Sequence, residues 1–182
     1  MGDCFAAAIC LEKTMATWHV STAAEAIAAA QFARLGCDVS VQYGANQPEY
    51  DLMIARGDPM LKISVKGSSD GGWGLTQSQL TQWRKTNPDG PTNYIAAADM
   101  WLARHKSRTA LCFVNFRDVP LDGMPRIYLA WPNEVANKLK SARNGLGDTI
   151  LYDLPPRNSA KAVVSTEWIM TEERVKSLLE TT

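Results

Sequence analysis

The fold is decided by the stretch Tyr50-Asp51-Leu52-Met53-Ile54-Ala55-Arg56-Gly57-Asp58-Pro59-Met60-Leu61-Lys62-Ile63-Ser64-Val65-Lys66-Gly67. Two runs rich in Ile, Leu, Val and Met flank residues 56–59, where glycine allows a positive φ and proline restricts the preceding residue, so the stretch predicts a β-hairpin. Because side chains alternate along a strand, Lys62, Ser64 and Lys66 share one face, and the apolar residues between them share the other. Asp51 in the first strand can face the polar side. An acid beside a polar residue and a lysine suggests a metal-assisted site.

Length and charge bound the class of protein. The chain has 182 residues, which is enough for one domain with a substantial core, and no linker-like interruption argues for a second domain. Its 19 basic and 19 acidic residues give a formal net charge of zero. This balance excludes the overall basic field of many nucleic-acid-binding proteins, so a nucleic-acid surface would be a local patch.

The cysteines indicate a reducing compartment. Cys4, Cys10, Cys37 and Cys112 are scattered, and no two of them form a Cys-x-x-Cys pair. With only two histidines in the chain, this pattern predicts neither a structural zinc site nor a disulfide framework, and it fits a cytoplasmic protein. The apolar run at residues 5–11 is too short to span a membrane, so we expect no membrane association.

A helix is predicted from Ser21 to about Leu35. Thr22 and Glu25 have the spacing of a capping box, alanines fill the interior, and Gly36 follows the last apolar position. Residues 37–43 then alternate between apolar and polar side chains, which predicts a half-buried strand leading toward the hairpin.

The rest of the chain predicts further elements by the same signals. In order, we expect a glycine-rich loop at 68–74, a helix from a Thr76–Gln79 capping box through Lys85, a helix at 95–104, strands at 110–116 and 126–131, a helix at 133–143 after Pro132, a strand at 149–152, an irregular proline segment at 155–158, and a last helix from Thr171. This order predicts an α/β sandwich around a central mixed sheet, as one domain with a core at about 21–131 and a C-terminal extension at 132–182.

This order and the polar hairpin resemble the PD-(D/E)XK nuclease superfamily, the restriction-endonuclease-like and Holliday-junction-resolvase-like proteins with an αβββαβ core. The resemblance covers roughly residues 21–131. In that family an acid on the first helix, an acid at the second strand and an acid-x-lysine on the third strand surround one or two Mg²⁺ ions. Glu25, Asp51 and Lys66 match these positions. Ser64 stands where the family usually has Glu or Asp, and Tyr50 replaces a proline.

The resemblance implies a Mg²⁺-dependent DNA endonuclease, with Mn²⁺ as a substitute ion and a homodimer as an arrangement common on this fold. Magnesium takes oxygen ligands, which Asp51, Glu25 and the Val65 carbonyl can supply, while Lys66 positions water or screens the phosphate. Ser64 brings no negative charge, so we expect weaker metal binding and lower activity. The alternative is a catalytically inactive nuclease-fold module that binds nucleic acid or a protein partner.

Each candidate also has an explanation without chemistry. Glu25 can be the return half of the Thr22 capping box, Asp51 can bond loop amides, and Lys66 can protect a strand edge. A Ser64–Lys66 pair for acyl transfer is a further alternative, although no glycine turn adjoins Ser64 to form an oxyanion hole.

Nucleic-acid contacts are predicted around the loop and the helix ends. Trp73 can stack on a base or cover the end of the sheet, and Gln77 and Gln79 can reach DNA. Candidate phosphate contacts are the cations Arg84, Lys85, Arg104, Lys106, Arg108, Lys138, Lys140 and Arg143. Each of them can equally be a solvated helix-end cation.

Overall fold

The computed structural model describes residues 16–42, 49–105, 108–154 and 160–181. Within these ranges, every helix is too short or too polar to cross a membrane. The elements, with a 3-10 turn at Thr166–Trp168 before the last helix, are α1 (Thr17–Arg34), β1 (Asp38–Val41), β2 (Leu52–Ala55), β3 (Met60–Ser68), β4 (Gly72–Gly74), α2 (Gln77–Thr86), α3 (Tyr94–Leu102), β5 (Thr109–Asn115), β6 (Arg126–Ala130), α4 (Pro132–Gly145), β7 (Ile150–Tyr152), β8 (Ala162–Val163) and α5 (Glu172–Glu180).

A mixed sheet of five strands forms the centre of the molecule, in the order β1-β2-β3-β5-β6. Strands β3 and β5 run parallel, and the other neighbours are antiparallel. The predicted hairpin is β2 and β3, and its pairing ends at Leu52 opposite Ile63. Beyond Ile63, strand β3 continues beside β5 as far as Ser68 opposite Asn115. The α/β class and the mixed central sheet are therefore confirmed.

Helices cover both faces of this sheet. On one face, α1 and α5 pack on the odd-numbered residues Leu61, Ile63 and Val65 of β3, as the alternation predicts. On the other face, α3, α4 and the small sheet pack over Leu111 and Phe113 of β5. The C-terminal residues thus complete the core on both faces, since α4 and α5 each contribute buried side chains to one of these clusters.

A second sheet, β4-β7-β8, was not predicted. The glycine-rich segment at 68–74 was expected to be a loop, but its last three residues form β4, which pairs antiparallel with β7. The partner strand lies far along the chain, and a three-residue strand has no periodic pattern to reveal it. The small sheet fixes the end of this segment beside β3.

Both predicted capping boxes are wrong. Helix α1 begins at Thr17, so Thr22 lies inside it, and its hydroxyl donates to the Trp18 carbonyl. Thr76 does precede α2, but it makes no side-chain capping bond, and Gln79 instead accepts a hydrogen bond from Ser78. The S/T-x-x-E/Q spacing also occurs inside helices, where a threonine hydroxyl can bond the carbonyl four residues earlier.

The other predicted elements are confirmed within a few residues. Gly36, with φ of +77°, ends α1, and Thr171 caps α5 by accepting from the Arg174 amide. Pro132 is the first residue of α4, whose Glu134 accepts from the Trp131 amide at 2.6 Å. Tyr43, predicted to end the first strand, and the predicted irregular segment at 155–158 lie outside the described residues.

Candidate active site

Asp51 lies where β2 and β3 separate, and the backbone holds it firmly. Its amide donates to the Ile63 carbonyl at 2.8 Å, and its carbonyl accepts from the Gln42 amide at 2.9 Å. Its side-chain Oδ2 accepts from the Val65 amide at 2.6 Å. The carboxylate therefore has a fixed position, and it keeps acceptor capacity for a further partner because a carboxylate can accept about four hydrogen bonds.

Helix α1 brings Glu25 to the same place. The helix packs against β3 at Gly67, where a Cβ atom would lie 2.8 Å from the Val20 carbonyl oxygen and 2.9 Å from the Ala24 Cβ. Only glycine allows this close approach of a helix to a strand. Glu25 follows Ala24 directly, so the contact at Gly67 sets the position of its carboxylate relative to β3.

Val65 and Lys66 supply the third side of the site. The amide and carbonyl of one strand residue point to the same neighbouring strand, so the Val65 carbonyl faces the Asp51 side, where β2 has already ended. Lys66 is exposed, and its carbonyl accepts from Trp73 Nε1 at 2.9 Å. Backbone oxygen, carboxylates and a lysine thus converge from three elements.

These residues line one open cleft of about 370 Å³, which we call the carboxylate cleft; its walls include Glu25, Asp51, Val65, Lys66, Gly67 and Trp73. The structure thus brings together three residues that the sequence places on separate elements. It also removes the simpler explanation of Glu25, because Thr22 is not an N-cap. The simpler explanation of Asp51 is partly met, since its Oδ2 does bond a backbone amide.

The two acids influence each other. Burial raises the pKa of the Glu25 carboxyl above its ordinary value, and the negative charge of Asp51 raises it further, while the Lys66 ammonium opposes the rise. Two carboxylates that repel each other favour either a shared proton or a bound cation. The lysine supplies one positive charge nearby but does not fully compensate the pair.

The donor set fits a hard divalent cation. Magnesium prefers oxygen ligands, is commonly held by one or two carboxylates and keeps several waters. Glu25, Asp51 and the Val65 carbonyl offer that set. Burial and then repulsion from Asp51 raise the pKa of Glu25, and a cation would relieve the repulsion. In the part of the chain that the structure describes, no group of three or more His, Cys, Asp or Glu residues is placed to hold a metal. An ion here would therefore have two protein carboxylates.

Ser64 lies in a neighbouring pocket instead of the carboxylate cleft. This second pocket, of about 290 Å³, is lined by Ser64, Lys66, Gln79, Arg104, His105 and Thr109, among others, and we call it the amide pocket after Gln79. Thr109 was not predicted as a site residue. The available signal was the polar face of β3, since Lys62, Ser64 and Lys66 alternate on a strand that α2 and α3 partly cover.

The predicted nucleic-acid contacts are spread more widely. Trp73 is only 3% exposed and packs edge-on against Phe113 and Tyr128, so it covers the end of the sheet and has no free face for a base. Gln77 is exposed and lies against Gly74. Gln79 and Arg104 are the predicted contacts that line the amide pocket in the described ranges.

The other predicted cations lie on helix ends and turns. Arg84 and Lys85 are exposed in the last turn of α2, and Arg108 precedes β5. Lys140 forms an ion pair with Asp99, and the Arg143 guanidinium lies 5.1 Å from the Tyr94 ring centroid. Lys138 lies on α4, and Lys106 falls outside the described residues.

Comparison of the chain with protein-family models, curated proteins and solved structures gave no match.

Proposed function

We propose that this protein is a Mg²⁺-dependent deoxyribonuclease that hydrolyses phosphodiester bonds in the carboxylate cleft. The observation that carries the proposal is the convergence of Glu25, Asp51, Val65 and Lys66 on one cleft. Their arrangement also agrees with the resemblance of the hairpin motif to the PD-(D/E)XK nucleases.

Each residue has a distinct role in the proposed reaction. When bound, the metal ion supplies an acidified water and neutralises charge on the phosphate. Asp51 and Glu25 provide the carboxylate oxygens that would hold it, and the Val65 carbonyl provides a neutral oxygen. The Lys66 ammonium attracts the phosphate and stabilises negative charge that develops during hydrolysis. Helix α1 and strand β3 are rigid elements, so these groups need little rearrangement.

The test is cleavage of supercoiled, linear and branched DNA at low salt, with Mg²⁺, with Mn²⁺ or with EDTA. We expect metal-dependent cleavage that Asp51→Asn and Lys66→Met each reduce by about 10²-fold or more, because each change removes charge that stabilises the transition state. Matched controls are Lys62→Met, on the same face of β3, and Asp38→Asn, an exposed acid on β1. Both controls should cleave at the wild-type rate.

Two outcomes would contradict the proposal. Cleavage that survives both Asp51→Asn and Lys66→Met would identify a contaminating nuclease. Cleavage that is equally fast in EDTA would rule out a role for the metal ion.

A second candidate function is a catalytically inactive module that binds nucleic acid. It is favoured by the position of Ser64, since this residue adds no charge to the cleft and leaves only two carboxylates there. The same experiment separates the two functions. DNA binding in a mobility-shift assay, without cleavage in either metal, would support the inactive module.

A further inference from the structure

Several of the polar side chains that line the amide pocket are buried. Ser64 is 6% exposed, Gln79 is 4% exposed and Thr109 is 1% exposed, and all three line the pocket. Among the described residues, the Thr109 hydroxyl has no hydrogen-bond partner. Buried polar groups are normally paired, so a cluster of this kind indicates a site for a polar ligand.

The donors and acceptors in the pocket suit a planar, neutral ligand. Gln79 carries both an amide oxygen and an NH₂ group, and the serine and threonine hydroxyls can donate or accept. His105 Nδ1 lies 3.0 Å from the Trp101 carbonyl, which only accepts, so Nδ1 carries the proton and Nε2 of the neutral ring is an acceptor. A bare phosphate only accepts hydrogen bonds, so it would give the His105 Nε2 acceptor no donor.

The charge state of His105 agrees with this assignment. Burial lowers the pKa of His105 below its ordinary value, and the nearby Lys66 and Arg104 lower it further. The hydrogen bond to the Trp101 carbonyl and the charge of Glu49 oppose the shift. The lowered pKa favours the neutral ring. Glu49 also lines the pocket, and its carboxylate would repel a phosphate placed there.

Two apolar side chains line the pocket among its polar groups. They are Leu75 and Trp101, and the Trp101 ring lies 4.2 Å from the His105 ring, centroid to centroid. A pocket that combines an aromatic and an aliphatic side chain with several polar groups fits a ring that is apolar on its faces and polar on its edge, which describes a nucleobase. The volume of about 290 Å³ is at the lower end of ligand pockets, as a single base would need.

The amide pocket and the carboxylate cleft share a wall. Lys66 and Leu75 line both of them. A nucleotide strand with its phosphate at Lys66 in the cleft therefore has an adjoining base within reach of the amide pocket. Arg104, exposed at the pocket, can contact the backbone of the same strand.

We propose that the amide pocket holds one unpaired nucleobase of the DNA strand whose phosphate lies in the carboxylate cleft. Gln79, Ser64 and His105 form hydrogen bonds with the edge of the base. Lys66 lies between the base and the phosphate. The inference rests on the proposed function, because it takes the cleft as the phosphate site. It adds that the substrate carries a base outside a duplex, in a single strand or at a disrupted pair.

The experiment measures binding without metal, so that cleavage plays no part. The probe is a fluorescent single-stranded oligodeoxynucleotide, together with a set of the same oligonucleotide with one abasic site at each position in turn. We expect anisotropy titrations in EDTA to show one position where loss of the base weakens binding by about 10-fold, as removal of a base from a protein site typically does. The other positions should bind nearly as well as the intact strand.

The variants Gln79→Met and Ser64→Ala test the pocket itself. Each should weaken binding of the intact strand and leave binding of the sensitive abasic strand unchanged, because the lost contact is already absent. Gln82→Met is the matched control, since Gln82 is exposed on the same helix, and it should bind like wild type. Ser64→Ala removes only one hydroxyl, so it keeps the test valid if Gln79→Met unfolds.

Equal binding of all abasic strands would overturn the base pocket, and so would equal weakening of intact and abasic strands by the variants. These results are separate from those on the proposed function. If cleavage depends on Asp51 but no abasic position weakens binding, the proposed nuclease function stands and the base pocket is refuted. A sensitive position without cleavage in Mg²⁺ would support the base pocket in an inactive module.

Discussion

The carboxylate cleft and the amide pocket lie side by side on one strand but differ in chemistry. The cleft receives acids from α1 and from the start of β2, together with a backbone oxygen of β3. The amide pocket receives hydroxyls, an amide and an imidazole, mostly from β3, α2 and the end of α3. Ser64, Val65 and Lys66 are consecutive, yet Ser64 belongs to the pocket, Val65 to the cleft and Lys66 to both.

This difference changes the meaning of Ser64. By sequence, Ser64 stands where the nuclease motif that the hairpin resembles usually has an acid, which predicts weaker metal binding. In the structure, it is a buried hydroxyl in a separate polar pocket. A carboxylate at this position would put a negative charge among groups that can bind a neutral ligand. A serine at this position therefore suits the proposed base pocket better than an acid would.

The largest expected effect comes from removing the side chain of Asp153, which holds the segment beside the cleft. Asp153 is 4% exposed and accepts hydrogen bonds from Asn115, Tyr128 and Arg126, while its amide donates to the Gly71 carbonyl beside β4. Asp153→Ala should lower the free energy of unfolding by about 3 kcal/mol, the lower end of the cost for a buried charge network, because Arg126 is partly in water. Urea denaturation measures the change.

The two sites should respond differently to Asp153→Ala. None of the described residues that line the amide pocket belongs to the Asp153 network, whereas Gly72 and Trp73 of the cleft directly follow the Gly71 carbonyl that Asp153 bonds. The variant should therefore impair Mn²⁺ binding at the cleft, measured by calorimetry, more than oligonucleotide binding in EDTA. Equal losses at both sites would show that they are not structurally separate. Asp118→Asn, an exposed acid on the turn after β5, is the control.

The next largest effect separates α1 from β3. Gly67→Ala places a Cβ 2.8 Å from the Val20 carbonyl oxygen, and the backbone must shift to relieve this contact. We expect a loss of about 1–3 kcal/mol in the free energy of unfolding, the usual cost of overpacking, and weaker Mn²⁺ binding because Glu25 moves. Gly90→Ala is the control, since its nearest neighbour would lie at 3.4 Å. Undiminished Mn²⁺ affinity in Gly67→Ala would show that α1 does not position a ligand.

A smaller effect concerns pH and the cleft. The pKa of Glu25 is raised in the folded state, so its stabilising contribution is present below the ordinary carboxyl pKa and is lost as pH rises through the raised pKa. In EDTA, Glu25→Gln should therefore gain stability relative to wild type as pH rises through this range. Added Mg²⁺ should stabilise wild type and not the variant. The measurement is urea unfolding at a series of pH values, with Glu167→Gln as the control. A wild-type protein that Mg²⁺ does not stabilise would contradict a metal site at Glu25.

The smallest expected effect concerns pH and the amide pocket, and it has the opposite sign. The pKa of His105 is lowered in the folded state, so its contribution is present above the ordinary histidine pKa and is lost as pH falls through the lowered pKa. His105→Asn should remove this acid-side loss in the same unfolding experiment. The matched control is His19→Asn, which changes the other histidine of the chain. If both variants follow the wild-type curve, His105 is not buried in solution as it is here.

Much of the fold follows from local patterns. The hairpin was predictable because alternation and turn residues agree over one continuous stretch, and α5 because Thr171 caps it and acids follow. Glu25, Asp51 and Lys66 were predicted through the motif, and the structure brings them to one cleft. The start of α1 was not predicted, because a threonine in a helix and a threonine at its N-cap look alike at the S/T-x-x-E/Q spacing.

The unpredicted parts depend on contacts between distant residues. Strand β4 pairs with β7, and Trp73 there lies opposite Leu151. No sequence period records such a pairing. The amide pocket likewise joins residues from separate elements, and only folding shows that Gln79, His105 and Thr109 face Ser64. A buried glutamine looks like a surface glutamine until the packing is known.

The overhang of β3 beyond β2 has a consequence for self-association. Past Ile63, no strand of the described residues pairs with the edge of β3 that faced β2, and an unpaired edge is a template on which a strand of another molecule can add. The Asp51 carboxylate occupies the Val65 amide and so withholds a donor that an incoming strand would need. Asp51 thus also protects this edge against aggregation. An asparagine keeps an acceptor oxygen for that amide, whereas an alanine would leave it uncovered and open to other chains.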